Sequence, residues 1–272
     1  MDDLDRHRGL RFWIQHVICA LGLQMPGREQ AQRHQSHALP AQRRPLQGRA
    51  LPCALRFSRE EMSQMRVKEQ DVLLIIDVQN DFCPTGALPV GHGDEVVPVV
   101  NRLARRFQHV VLTQDWHPSG HDSFASTHPD KAPYDTIAVS YGTQILWPDH
   151  CLQSTTGAAF HKDLDIPHAE LILRKGFRRA IDSYSAFQEN DRRTATGLAG
   201  YLRERGFNRV FVAGLALDFC VRYSAEDAAS QGFEAVVFED ACRGIDVGGS
   251  VAATRASFAQ LGIACVSTEA VS

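Results

Sequence analysis

The sequence predicts an α/β fold: an open, mostly parallel six-stranded sheet with helices on both faces. Three observations carry this. Val72-Leu73-Leu74-Ile75-Ile76 is a continuous apolar run of strand length, the pattern of a central parallel strand covered on both sides. Short runs rich in Val, Ile and Leu then alternate with amphipathic or Ala-rich segments, and such alternation means right-handed β-α-β units. Finally, Asp77, Asp115, Lys175 and Cys220 each fall at or just past the end of a strand-like run. Ligands bind at that edge of open parallel sheets.

Taken in order, residues 1–66 stand apart, with eleven Arg, no Lys and six acidic residues among repeated Gln, His and Pro. That composition buries little apolar surface and reads as a disordered or loosely attached extension. Its one apolar patch, residues 12–23, is broken by Gln15 and His16 and is far short of a membrane span, so neither export nor insertion is expected. Acidic residues near the start count against an organellar leader, and a natural start at Met62 or Met65 fits the change in composition. The regular domain runs over residues 67–272. After the strand at 72–76, Asp94 is placed to cap a helix reaching about Phe107, with Pro98 in its first turn. Residues 110–112 are the second strand. The stretch 114–169 has few periodic elements, and a loop that long in a compact domain is usually functional. The remaining expectations are strand 171–173, helix 192–205, strand 210–213, helix 220–231, strand 235–238, helix 249–261 and a short strand 263–266.

Totals narrow the partners. Thirty-two acidic and 29 basic side chains leave a formal charge of −3, which is no footprint for nucleic acid or an anionic membrane and points to a small-molecule substrate. Seven cysteines, with irregular spacing and no C-x-x-C pair, fit neither a disulfide framework nor a zinc ribbon; reduced thiols in a cytoplasmic protein are expected. No G-x-G-x-x-G follows the first strand, so a dinucleotide fold is excluded. Self-association stays open.

Chemistry centres on Gly214-Leu215-Ala216-Leu217-Asp218-Phe219-Cys220-Val221. Cys220 sits where a strand hands over to a helix, and the helix N-terminus there favours a thiolate. Asp77 can take the thiol proton and later return one to a leaving amine, while Lys175 holds both by charge and hydrogen bonds. An acyl-thiol intermediate, a released amine and attack by water follow. Backbone N–H groups at Ala216 and Cys220 are placed for the oxyanion, with Gly214 permitting the backbone this needs. Burial should raise the Asp77 pKa and Lys175 should lower it, and the sequence leaves the winner open. A second cluster, Asp115, His117 and His150, suits a divalent metal such as zinc, iron or manganese. His121 is a lesser candidate ligand, since the turn after Pro118-Ser119-Gly120 accounts for it.

Together, Asp77-Val78-Gln79-Asn80-Asp81-Phe82, Asp115-Trp116-His117-Pro118, Trp147-Pro148-Asp149-His150-Cys151, Arg174-Lys175-Gly176 and the stretch 214–221 resemble the nicotinamidases (pyrazinamidases) of the isochorismatase-like hydrolase superfamily. The resemblance implies hydrolysis of nicotinamide to nicotinate and ammonia, a step of NAD salvage, with Asp77, Lys175 and Cys220 as triad. It implies one divalent ion, zinc before iron or manganese, at Asp115, His117 and His150, holding the pyridine nitrogen. It also implies a cis peptide between Leu215 and Ala216, and Phe82 and Trp147 packed on the ring. Leu217 stands where many members have Thr. Two rivals remain at this point: a metal-free cysteine amidohydrolase acting on carbamoyl or ureido compounds, which has no use for the His pair, and a non-catalytic α/β metal-binding module.

Overall fold

A computed structural model describes residues 65–271, all within the unit Leu51–Ser272. All but the last two residues of the expected extension 1–66, and the alternative start at Met62, lie outside the described residues. Six strands form one sheet: β1 (Asp71–Ile76), β2 (Val110–Asp115), β5 (Leu171–Lys175), β6 (Arg209–Leu215), β7 (Glu234–Arg243) and β8 (Ala264–Val266). Their order is β5-β2-β1-β6-β7-β8, and every pairing is parallel. Four helices pack on it: α1 (Val96–Ala104), α2 (Leu198–Glu204), α3 (Arg222–Ser230) and α4 (Ser250–Leu261).

The apolar run of β1 explains the layers. Side chains alternate across a strand, so Leu73 and Ile75 enter one core with Val100 and Leu103 of α1. Val72, Leu74 and Ile76 enter the other, with Leu202 of α2, Ala225 of α3 and Phe258 of α4. Both faces of β1 are therefore covered, and its residues are all buried. No helix among the described residues is long and apolar enough to cross a membrane.

Three expectations about elements change. Asp94 does not cap α1: it lies inside a 3₁₀ turn, Gly93–Glu95, and the helix starts at Val96 without a side-chain cap. Helix α2 starts at Leu198, not near 192, because Arg192 is left-handed at φ 59° and Gly197 at φ 99° breaks the chain again. The stretch 114–169 is also not all loop. It holds an antiparallel hairpin, β3 (Thr136–Val139) with β4 (Gly142–Ile145).

Candidate active site

Strand order reverses direction around β1 and β6, and the crevice beyond their carboxyl ends is where open α/β sheets take ligands. Asp77 follows β1, Asp115 ends β2, Lys175 ends β5 and Cys220 follows β6. Register aligns them: Asp115 is paired with Lys175, and Ile76 with Gly214. Gly214 is needed here for its missing side chain, because a Cβ on it would stand 2.2 Å from the Ile76 carbonyl oxygen. Past the cis peptide between Leu215 and Ala216, Val221 N–H donates to the Ala216 carbonyl at 3.1 Å. This i→i+5 closure makes residues 217–221 a wide π-type turn, a feature frequent at functional sites. Cys220 lies within it.

Lys175 is the hub. Its side chain is fully buried, and its Nζ lies 2.9 Å from Asp77 Oδ2 and 3.1 Å from Asp115 Oδ1. It donates to the Ser183 carbonyl at 2.9 Å and to Cys220 Sγ at 3.4 Å. Burial works against its charge, yet Asp115 and Asp77 hold its pKa well above the ordinary lysine value. Asp77 is anchored by Thr113, whose Oγ1 donates to Oδ1 at 2.6 Å and accepts the Asp77 N–H at 3.1 Å. Oδ2 is buried against the Lys175 ammonium, its one close partner among the described residues. Burial decides the tension at this carboxyl: it pushes the pKa up, and the opposing pull of Lys175 does not cancel it. The Cys220 thiol is likewise pushed well above its ordinary value by burial, which outweighs Lys175. The expectation of a thiolate favoured at a helix end is therefore corrected. Cys220 is only 7% exposed, and the cost of a charge there exceeds what a helix N-terminus returns.

Asp115, His117 and His150 converge, with ligand atoms all within 4.8 Å of one another. His117 Nδ1 donates to the Gly176 carbonyl at 2.8 Å, and His150 Nδ1 to the Pro148 carbonyl at 2.8 Å. A carbonyl only accepts, so both protons are fixed on Nδ1 and both Nε2 atoms face Asp115 Oδ2, at 3.1 and 3.5 Å. Three acceptors at such distances call for a cation between them, and backbone-anchored imidazoles are the usual support of metal ligands. The residues fit a divalent metal. The same field acts on protons: burial opposes a charged His117, but Asp115 overrides it and raises the pKa. Asp115, despite its burial, is held well below the carboxylate range by His117 and Lys175. His121 also comes near His117, with Asp182, yet its ring is committed elsewhere. Nδ1 takes the Ser123 hydroxyl and N–H at 2.7 and 3.2 Å, and Nε2 meets the Arg178 carbonyl at 2.9 Å.

Between these groups lies a small, narrow cavity. Phe82, Trp147, Tyr184 and Phe219 supply aromatic walls, and Asp115, His150, Ala216 and Cys220 reach into it. Trp147 and Phe219 meet edge to face, with centroids 4.9 Å apart. A larger, open depression lies beside β7 and β8, and none of the convergent groups lines it. Sequence reasoning missed Thr113, Ser183, Asp182 and Tyr184. Thr113 looks like an ordinary strand residue, and the others sit in a segment without periodicity. Gly176 was visible as part of Arg-Lys-Gly, and the structure supplies its reason: a Cβ there would lie 2.5 Å from His117 Cε1.

A family profile described as the Isochorismatase domain matches residues 71–270. The chain belongs to the isochorismatase family. Within that family it is 52% identical over 192 residues to a nicotinamidase of Acinetobacter baylyi, covering 70% of this chain and 90% of the relative. Among solved structures it is similar to a nicotinamidase/pyrazinamidase of Acinetobacter baumanii, at 52% identity and TM-score 0.73, covering 74% of this chain and 97% of that one. A pyrazinamidase of Pyrococcus horikoshii in complex with zinc is 34% identical, with TM-score 0.60, covering 73% and 99%. This isochorismatase-family chain thus covers at least nine-tenths of the length of each of these three proteins.

Proposed function

We propose that this chain hydrolyses nicotinamide to nicotinate and ammonia through a thioester on Cys220. One observation carries the reading: a single buried ammonium, Lys175, touches Asp77, Cys220 and Asp115 at once, so a nucleophile with its base adjoins the candidate metal residues in one cavity. Asp77 Oδ2 accepts the Sγ proton as sulfur attacks the amide carbon, and its raised pKa makes it a stronger base than an exposed carboxylate. Lys175 stabilises the forming thiolate charge. N–H groups of Ala216 and Cys220 receive the oxyanion. Asp77 then returns the proton to the departing nitrogen, releasing ammonia, takes another from the water that attacks the thioester, and passes it to the leaving sulfur, so that acid, free thiol and ionised Asp77 result. Phe82 and Trp147 hold the ring between them. A divalent cation at Asp115, His117 and His150, zinc first in view of the zinc-bound relative, would supply a Lewis-acidic anchor for the ring nitrogen.

Ammonia release from nicotinamide is the test, with Cys220→Ala expected to lose activity by orders of magnitude; near-normal turnover in that variant rejects the covalent route. The metal-free ureido reading stays in play through one control. Chelation should weaken nicotinamide binding, and zinc, iron or manganese should restore it. Indifference to chelator together with turnover of a ureido substrate would favour that rival.

A further inference from the structure

Gln144, in the hairpin that sequence periodicity does not reveal, is 2% exposed and sits behind the cavity. Its Nε2 lies 2.8 Å from Asp182 Oδ2, 2.7 Å from the Ile145 carbonyl and 3.2 Å from the Tyr184 hydroxyl. A carboxylate and a carbonyl both require a donor, so this face of the amide is its NH₂ group. Tyr184 in turn accepts the Trp147 indole N–H at 3.0 Å. Asp182 and Tyr184 both line the cavity. Between them, the Ser183 carbonyl accepts from Lys175 Nζ at 2.9 Å. Of three consecutive residues, Asp182 thus comes within 4.8 Å of His117, Ser183 accepts from the hub lysine and Tyr184 joins the aromatic wall. From outside the cavity, Gln144 bonds to the first and last of them.

We propose that Gln144 is a positioning residue that sets the substrate slot by holding Asp182 and Tyr184 in register with Trp147. The proposal rests on the nicotinamide reading for its substrate. Gln144 touches neither Cys220 nor Asp77, so its effect belongs on ring binding and not on bond breaking. Losing its donors removes a hydrogen bond to a carboxylate and loosens the Tyr184 hydroxyl under Trp147. A hydrogen bond of this kind corresponds to roughly a threefold to tenfold change in affinity.

The experiment compares wild type, Gln144→Leu and the isosteric Gln144→Glu, which swaps the donor for an acceptor without changing volume. Steady-state ammonia release from nicotinamide should show KM raised roughly threefold to tenfold, with kcat nearly unchanged, in both variants. A wild-type KM in Gln144→Glu, or a loss confined to kcat, overturns the proposal. Should the wild type itself release no ammonia from nicotinamide, the proposed function falls, and positioning is then read from crystal structures of the variants. Displaced Tyr184 and Trp147 side chains would uphold it, and unmoved ones would overturn it.

Discussion

Replacing Gly176 with alanine tests the metal half of the site without touching a candidate ligand. A Cβ there would lie 2.5 Å from His117 Cε1, 2.8 Å from its Nδ1 and 2.9 Å from Asp115 Oδ1. Carbon atoms settle about 3.5–4.0 Å apart, so the imidazole must retreat by about 1 Å. Retreat pulls Nδ1 from the Gly176 carbonyl, now 2.8 Å away, and turns Nε2 off its line to Asp115. Disturbing the group that orients a metal-binding histidine typically costs 10–100-fold in affinity, so chelator competition should show zinc binding weaker by roughly that factor. The backbone adds strain, because alanine at φ +67° costs about 1–2 kcal/mol, and Tm should fall by roughly 2–8 °C. Alkylation of Cys220 in metal-stripped protein should be little altered, since no contact of the added methyl involves it. Unchanged zinc affinity would refute the reasoning by showing that His117 is not held where metal binding needs it.

Three further outcomes are expected. Asp77 must be ionised to accept the Cys220 proton, and its pKa is raised by burial. The acid limb of kcat/KM should therefore lie above the ordinary carboxylate pKa, with activity rising as pH climbs through it. Thr113→Val, which deletes a bond that lowers this pKa, should move the limb higher, and a limb that stays put would remove Asp77 from the base role. Gly214→Ala should cost several kcal/mol, because its Cβ would meet the Ile76 carbonyl at 2.2 Å and an L-residue is strained at φ +118°; an unaltered urea midpoint would contradict this. A chain begun at Met65, whose N–H already bonds the Ala270 carbonyl at 2.7 Å, should fold and keep its activity, as read by circular dichroism and ammonia release.

Much of the site was legible because strong patterns place it. The unbroken apolar run of β1 delivers Asp77, and shorter runs deliver Asp115 and Lys175, so convergence at one sheet edge follows from fold class alone. The hairpin was not legible, since β3 and β4 are largely solvated and show no apolar alternation to read. Gln144 in the hairpin and Asp182 beyond β5 are buried polar residues, and a polar residue reads as loop until its partners are known. The false start of α2 has a local cause. Asp191 Oδ1 accepts the N–H groups of Arg193 and Thr194 at 2.9 and 2.8 Å, which imitates a helix cap. Gln188 and Ala195 then pair as extended chain. At Cys220 the failure was one of magnitude: a helix end was foreseen, but the depth of burial was not.

The pairing of β1 with β6 has a consequence for how the chain matures. Asp71 and Arg209, paired across these strands, are 138 positions apart in sequence, so closing this ladder is a long-range, late-maturing event compared with local contacts. Asp77 and Cys220 meet only when it closes. A nascent or refolding chain therefore acquires its nucleophile–base pair after the centre of the sheet has zipped, and recovered activity clocks the completion of folding, not its onset.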